Sequence, residues 1–249
     1  MIVCRSAAEL ERMREAGRLV GEVLTELSAR VGPGVSTAEL DELAEQRIRQ
    51  AGATPAFKGY HGYPATICAS INDEVIHGIP SDRRVLADGD IISIDVGASL
   101  DGYFGDSALT LPVGRVSEQA ATLLRVTEES LYLAIERARP GGRVSDIGHA
   151  VQRHVEAIGF SVVREFVGHG IGQRIHEEPQ VPNYGEPGHG PRLAEGMVLA
   201  IEPMVNAGKP GSRVRPDKWT AVTEDGKYSA HFEHTVAITA EGPWVLTRP

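Results

Sequence analysis

Two aspartates, Asp95 and Asp106, flank an Asp-Gly turn in the stretch GDIISIDVGASLDGYFGDSALT (89–110). The β-branched run Ile91, Ile92, Ile94 leads into Asp95, and a second β-prone run carries Asp106. Two such runs joined through Asp101-Gly102 predict a hairpin. The midpoint of positions 95 and 106 is 100.5, which falls at that turn. The two carboxylates are therefore expected to stand roughly opposite each other, about 5 Å apart at Cβ. Like charges so placed repel. Either one is protonated or a cation lies between them, and the cation is the reading adopted.

Three further residues extend the set: His169 in GHGIG, Glu202 at the end of RLAEGMVLAIEP, and Glu233 in HFEHTVAIT. Four ionised carboxylates brought within ~4 Å of one another repel by about 4 kcal/mol per pair at an effective dielectric of ~20. Several such pairs exceed the whole stability of a typical domain, about 5–15 kcal/mol. Two divalent cations cancel the four charges and turn that repulsion into binding. An oxygen-rich set with one imidazole and no thiolate suits Mn(II), Fe(II), Co(II) or Zn(II). Two such ions ~3.5–4 Å apart hold a bridging water as hydroxide near neutral pH. That nucleophile attacks amide or ester carbonyls, so the chemistry expected is hydrolysis. Competing motifs fail: His176-Glu-Glu-Pro-Gln180 is not HExxH, GHGIG lacks the third glycine of GxGxxG, and neither GxSxG nor a Walker loop occurs.

The elements that must position these groups are readable from caps and periodicity. Ser6–Glu9 and Ser36–Glu39 are capping boxes, each followed by apolar residues at helical spacing, and the second helix stops at Gly52. A third helix starts from an N-cap at Ser117 and breaks at Pro140-Gly141; a fourth starts near Ser145 and runs to Gly159. Pro33/Pro140, Gly34/Gly141, Gly52/Gly159, Leu86/Leu193, Gly89/Gly196 and Ile94/Ile201 are each 107 residues apart, and the same offset takes Asp95 to Glu202. The reading is an internal repeat, roughly 31–110 and 138–240, whose two αβ halves bring strand-end carboxylates to a pseudo-twofold axis. Neither half holds a full ligand set, so 1–249 is expected to be a single catalytic domain.

Composition sets the frame. The 249 residues are 41% hydrophobic and 24% charged, with a net charge of −9, which argues against nucleic acid, DNA included, as the main ligand. No apolar run approaches a membrane span, and MIVCRSAAELERMREAG lacks the apolar core of a signal peptide. Cys4 and Cys68 form no CxxC. A reduced, cytoplasmic protein is expected.

The ordered motifs GYHGYP (59–64), NDEVIHGIP (72–80), IDVG with GDSA (94–108), GHGIG, HEEP, AIEP and FEHT resemble the type I methionine aminopeptidases. The resemblance implies an α/β (α+β) pita-bread fold: two pseudo-twofold-related αβ halves, a largely antiparallel central sheet and helices outside. It implies Asp95, Asp106, His169, Glu202 and Glu233 as ligands of two divalent ions (Co, Mn, Fe or Zn), with Asp106 and Glu233 bridging. His77 and His176 would contact the scissile amide, Glu202 would also shuttle the proton, and Tyr60, Tyr63, Cys68 and Trp219 would line the methionine pocket. In the family the segment at Asn72 also holds a monovalent cation. Here Asp73 and Glu74 add acid beside it. Ile175 and His231 stand where relatives often carry an aromatic residue and Gln.

The substrates so implied are nascent polypeptide N-termini with a small second residue. The basic stretch Lys209, Arg213, Arg215, Lys218 is a candidate for docking on ribosomal RNA. From Glu202 to Glu233 is 31 residues, too short for the insertion of type II enzymes. The alternatives are an X-Pro aminopeptidase or dipeptidase of the same fold, which carries a large extra N-terminal domain, and a metal-free pita-bread binding protein, which characteristically lacks ligands. His149, His154, His189 and His234 are expected at the surface or as satisfied core residues.

Overall fold

A computed structural model describes residues 1–249. The first half opens with α1 (Ala7–Ser28) and α2 (Thr37–Gln50). Glu9 Oε2 accepts from Ser6 N–H at 2.8 Å and Glu39 Oε2 from Ser36 N–H at 2.8 Å, so both boxes close. Strands β1 (Thr54–Pro55), β2 (Ile67–Ile71), β3 (Glu74–Ile76), β4 (Ile91–Leu100) and β5 (Tyr103–Pro112) follow. Strand β4 is central: β2 and β1 pair with it in turn along one edge and β5 along the other, all antiparallel. Helix α1 lies directly on β5, where a Cβ on Gly105 would come within 2.8 Å of the Gly17 Cα; only glycines permit that approach.

The second half repeats the order with α3 (Glu118–Ile135) and α4 (Val144–Ala157). Helix α4 begins slightly earlier than the sequence suggests. The Asp146 carboxylate accepts from Arg143 N–H at 2.7 Å and caps the helix there, while Ser145 Oγ is drawn off to accept from His189 N–H at 2.7 Å. Next come β6 (Ser161–Val162), β7 (Gly168–Gly170), β8 (Glu177–Val181), β9 (Val198–Ile201) and β10 (Met204–Asn206). Then follow β11 (Ser212–Val214), β12 (Ala221–Thr223), β13 (Ser229–His231), β14 (His234–Thr239) and β15 (Gly242–Val245). The five-stranded sheet of this half runs β15-β14-β9-β7-β8, again antiparallel throughout.

Backbone pairings recur at an offset of 107. The β1–β4 partners Thr54 and Ser99 have counterparts Ser161 and Asn206 in β6–β10. The bridge Ser36–Val85 has Arg143–Arg192, and Gly34 N–H to Leu86 O has Gly141 N–H to Leu193 O. The offset fails at β5. Adding 107 to its bounds lands on 210–219, a segment that contains β11 and a loop, and β14 is the strand that pairs with β9 as β5 pairs with β4. Ile94 pairs with Leu109 while Ile201 pairs with His234, so the corresponding strand lies 125 residues on (234 − 109) rather than 107.

Each half has its own hydrophobic core. One cluster of 17 buried residues lies among α1, α2 and β4, and another of 25 lies among α3, α4, β9 and β14. The halves meet where β5 runs beside β14. Glu233 N–H donates to Ala108 O at 2.8 Å and Ala108 N–H donates back to Glu233 O at 3.4 Å. The Thr235 hydroxyl accepts from Asp106 N–H at 3.0 Å and donates to Asp106 O at 2.7 Å. Asp106 and Glu233 thus belong to the seam itself.

Candidate metal centre

The hairpin register corrects one expectation. Asp95 pairs with Ala108 and Asp106 with Gly97, so the ladder is centred between Asp101 and Gly102, one residue beyond the expected midpoint. The two aspartates are diagonal neighbours on one face rather than directly opposed, about 7–8 Å apart along the backbone. The position opposite Asp106 is glycine because a Cβ on Gly97 would lie 2.7 Å from the Phe57 ring.

Ligand atoms of Asp106, His169 and Glu233 lie within 4.8 Å of one another. His169 Nε2 is 3.4 Å from Glu202 Oε1 and 3.9 Å from Asp106 Oδ2. Its other nitrogen, Nδ1, donates to Gly170 O at 2.9 Å, which leaves the Nε2 lone pair facing the carboxylates. The glycines of GHGIG serve this placement. A Cβ on Gly168 would meet Ala200 O at 2.4 Å and one on Gly170 would meet Glu178 O at 2.2 Å, so β7 fits between β8 and β9 only without side chains on either side of His169.

The electrostatics are those of a site built for cations. Burial, followed by the neighbouring carboxylates, pushes Asp106, Glu202 and Glu233 well above the usual carboxylate range. Burial lifts Asp95 to about 7. Burial also lowers His169 to about 3, so the ring is neutral. Asp95 Oδ1, Asp106 Oδ1 and Glu233 Oε1 are buried without any hydrogen-bond donor. Native interiors rarely leave such acceptors unmet, and the donor set, four carboxylates and one neutral imidazole, fits hard or borderline divalent ions.

A cavity of about 130 Å³ opens onto these groups and is lined by 12 residues. The lining comprises the five candidate ligands, His77, His176, Tyr60, Tyr63, Cys68 and Trp219, together with Phe57, which sequence reasoning missed because it precedes GYHGYP in a stretch without periodicity. Tyr63 is buried, donates to the carbonyls of Ile67 and Gly78 at 3.0 Å, and meets the Trp219 ring edge-on at 5.1 Å. Cys68 pairs with Asp95 across β2–β4; burial pushes its thiol up, so it is an unreactive apolar wall. Asp217 accepts from the N–H groups of Trp219 and Thr220, both at 2.9 Å, and fixes the loop that carries Trp219.

At the mouth, the Tyr60 hydroxyl and His176 Nδ1 are 2.9 Å apart, and the His176 ring is 4.3 Å from that of His169. His77 adopts a left-handed backbone, φ 60°, and packs edge-on to Phe166 and Trp219. A second groove of about 430 Å³, lined by His77, His169, His176 and Glu202, leads outward past Phe166 and Gln180. Ile175 is buried and does not line the cavity.

Other residues are placed apart from the centre. Glu74 is buried and paired with Arg84 and with Arg215 Nη1 at 2.6 Å, and Asp73 is 3.7 Å from Arg215. The acid beside Asn72 is therefore met by two guanidinium groups. Arg215 is engaged there, while Lys209, Arg213 and Lys218 are exposed. His149, His154 and His234 are satisfied by Gly185 O, Glu129 and Thr247 Oγ1. No helix is long and apolar enough to cross a membrane.

The metallopeptidase family M24 matches residues 11–240. The chain is 58% identical over 248 residues to methionine aminopeptidase 1 of Bacillus subtilis, with all of both chains covered. It is 55% identical over 247 residues to methionine aminopeptidase of Clostridium acetobutylicum, covering 99% of each. The crystal structure of methionine aminopeptidase from Thermotoga maritima superposes with a TM-score of 0.99 at 45% identity over all of both chains. The Xaa-Pro dipeptidase of Bacillus anthracis shares the fold, with a TM-score of 0.77 at 22% identity, and this chain spans 62% of its length.

Proposed function

The chain belongs to metallopeptidase family M24, is a metal-dependent aminopeptidase, and, we propose, releases methionine from polypeptide N-termini whose second residue is small. The observation that carries this reading is the convergence of four carboxylates, three of them with an unmet buried oxygen, on a small aromatic-walled cavity. A cavity of about 130 Å³ beside the carboxylates is the place for the substrate's first side chain. Tyr63, Trp219, Phe57 and Cys68 offer it rings and a thiol, surfaces that favour a thioether by about 0.3–1.5 kcal/mol per ring contact.

In this reading Asp95, Asp106, His169, Glu202 and Glu233 would hold two divalent ions, with Asp106 and Glu233 contributed from the seam between the halves. Bound there, the ions supply Lewis acidity toward the scissile carbonyl and a nucleophile at neutral pH. The chain's own residues do the rest. The closed end of the cavity takes the first side chain and the groove past Phe166 takes the remainder, so the cut falls after residue one. With the Tyr60 hydroxyl donating to Nδ1, His176 carries its proton on Nε2 and donates to the developing oxyanion. His77, which lines the same cavity, orients the amide. Glu202 takes a proton from the attacking water and returns it to the leaving amine.

We read 1–249 as one catalytic unit of two duplicated halves. It acts in the cytoplasm, where Lys209, Arg213 and Lys218 are offered to ribosomal RNA as chains emerge; a monovalent cation at Asn72 would serve structure rather than chemistry. The test is peptide hydrolysis. Release of methionine from Met-Ala-Ser, with no release of alanine from Ala-Pro-Ala, is the expected result; the reverse preference would make the enzyme an X-Pro peptidase. Ribosome co-sedimentation unchanged by alanine at the three exposed basic positions would remove the docking role.

A further inference from the structure

Behind the Glu202 carboxylate the fold buries one more imidazole. His231, at the end of β13, is 2% exposed, and its Nε2 has no hydrogen-bond partner. Glu202 Oε2 lies 3.7 Å from that nitrogen, while the other oxygen, Oε1, lies 3.4 Å from His169 Nε2. The carboxylate is thus placed between two rings, with one oxygen toward each. The His231 main chain is held on both sides: Thr110 Oγ1 accepts from its N–H at 2.9 Å and donates to its carbonyl at 2.8 Å. Ser93 Oγ braces Thr110 at 2.8 Å.

We propose that His231 is a positioning residue for Glu202, its Nε2–H donating to Oε2 and thereby setting Oε1 toward His169 and the centre. The proposal rests on the reading of that centre as a metal site. A shift of about 0.8 Å by Glu202 brings the pair from 3.7 Å to ordinary N–H···O length. Buried donors are rarely left unpaired, and Glu202 Oε2 is the carboxylate oxygen beside this one. Donors behind a ligand fix its orientation, and their loss typically weakens metal binding by about 10- to 100-fold. His231 touches neither substrate nor the reacting atoms, so its effect is on the affinity and geometry of the centre.

The holoenzyme loaded with Co(II) reads this out directly, by visible ligand-field absorption and by Co(II) affinity in chelator competition. His231→Gln keeps an N–H donor at the same reach and is expected to stay within about threefold of the parent, whereas His231→Leu and His231→Asn, the latter one methylene too short, lose about 10- to 100-fold. Both of those variants also shift the absorption bands, and kcat falls more than KM rises for Met-Ala-Ser. Unchanged affinity and spectrum in His231→Leu overturn the proposal. If the leucine variant does not fold, the two amides decide, since they differ only in reach: equal Co(II) affinity for Asn and Gln is the overturning result. A parent protein that binds no Co(II) overturns instead the reading of the centre as a metal site.

Discussion

Asp106 and Glu233 are bound into the seam by their own backbone groups, so their carboxylates cannot separate without parting the halves. Replacing either by alanine is expected to abolish hydrolysis of Met-Ala-Ser and to lower bound metal, measured by elemental analysis. Full activity in Glu233→Ala would make the bridging role untenable. His176 differs because it reaches the mouth without being one of the five candidate ligands. His176→Ala should leave metal content unchanged while kcat falls by about 10²–10³, the usual loss for one oxyanion donor. Metal loss in that variant would place His176 among the ligands.

The elements hold the site because each is fixed by local chemistry that the sequence displays. Ser36→Ala removes the acceptor of Glu39 N–H and is expected to destabilise the protein by about 0.5–2 kcal/mol in urea denaturation; no measurable loss would mean that the cap is redundant. Strand β7 is fixed by absence of side chains instead. Gly170→Ala puts a methyl 2.2 Å from the Glu178 carbonyl. The strands must then splay, at a cost of about 1–3 kcal/mol or more, and His169 is displaced. Metal affinity should therefore fall along with the melting temperature; a stable variant with normal metal content would refute the role given to this glycine. The helices were legible because capping boxes and apolar spacing are short-range signals. The hairpin was legible as a hairpin, but its register was not, since Asp101-Gly102 marks the turn without saying which two residues lie at its centre.

The whole molecule couples two separate cores through a seam of like charges, and that predicts its response to pH. Asp95, Asp106, Glu202 and Glu233 all have carboxyl groups raised in the fold by burial. A raised pKa contributes stability below the unfolded value near 4, and this is lost as pH rises through the folded value, here about 7 for Asp95. The buried histidines His77, His169 and His231 act in the opposite sense, since burial depresses them. Their contribution is complete above the unfolded value of ~6.5. Above pH ~6.5 that leaves a window in which the carboxylates dominate. The metal-free protein should melt at progressively lower temperature across that window, whereas the protein with added Mn(II) should not. A flat metal-free profile would show that the four groups do not face one another.

By itself the sequence determined the residue types, their order, the four helices and the hairpin, because each is written in local pattern: a cap three residues from its partner, a turn dipeptide, an apolar run that ends on an acid. Only the tertiary structure decided which groups meet. The diagonal register of Asp95 and Asp106, the meeting of Asp106 with Glu233 at the seam, Phe57 in the cavity wall, Arg215 on Glu74 and His231 behind Glu202 all join residues that are distant in the chain or offset by a single ladder step. Such contacts depend on strand register and loop length, which leave no period in the sequence, and a slip of one residue turns every side chain of a strand to the other face.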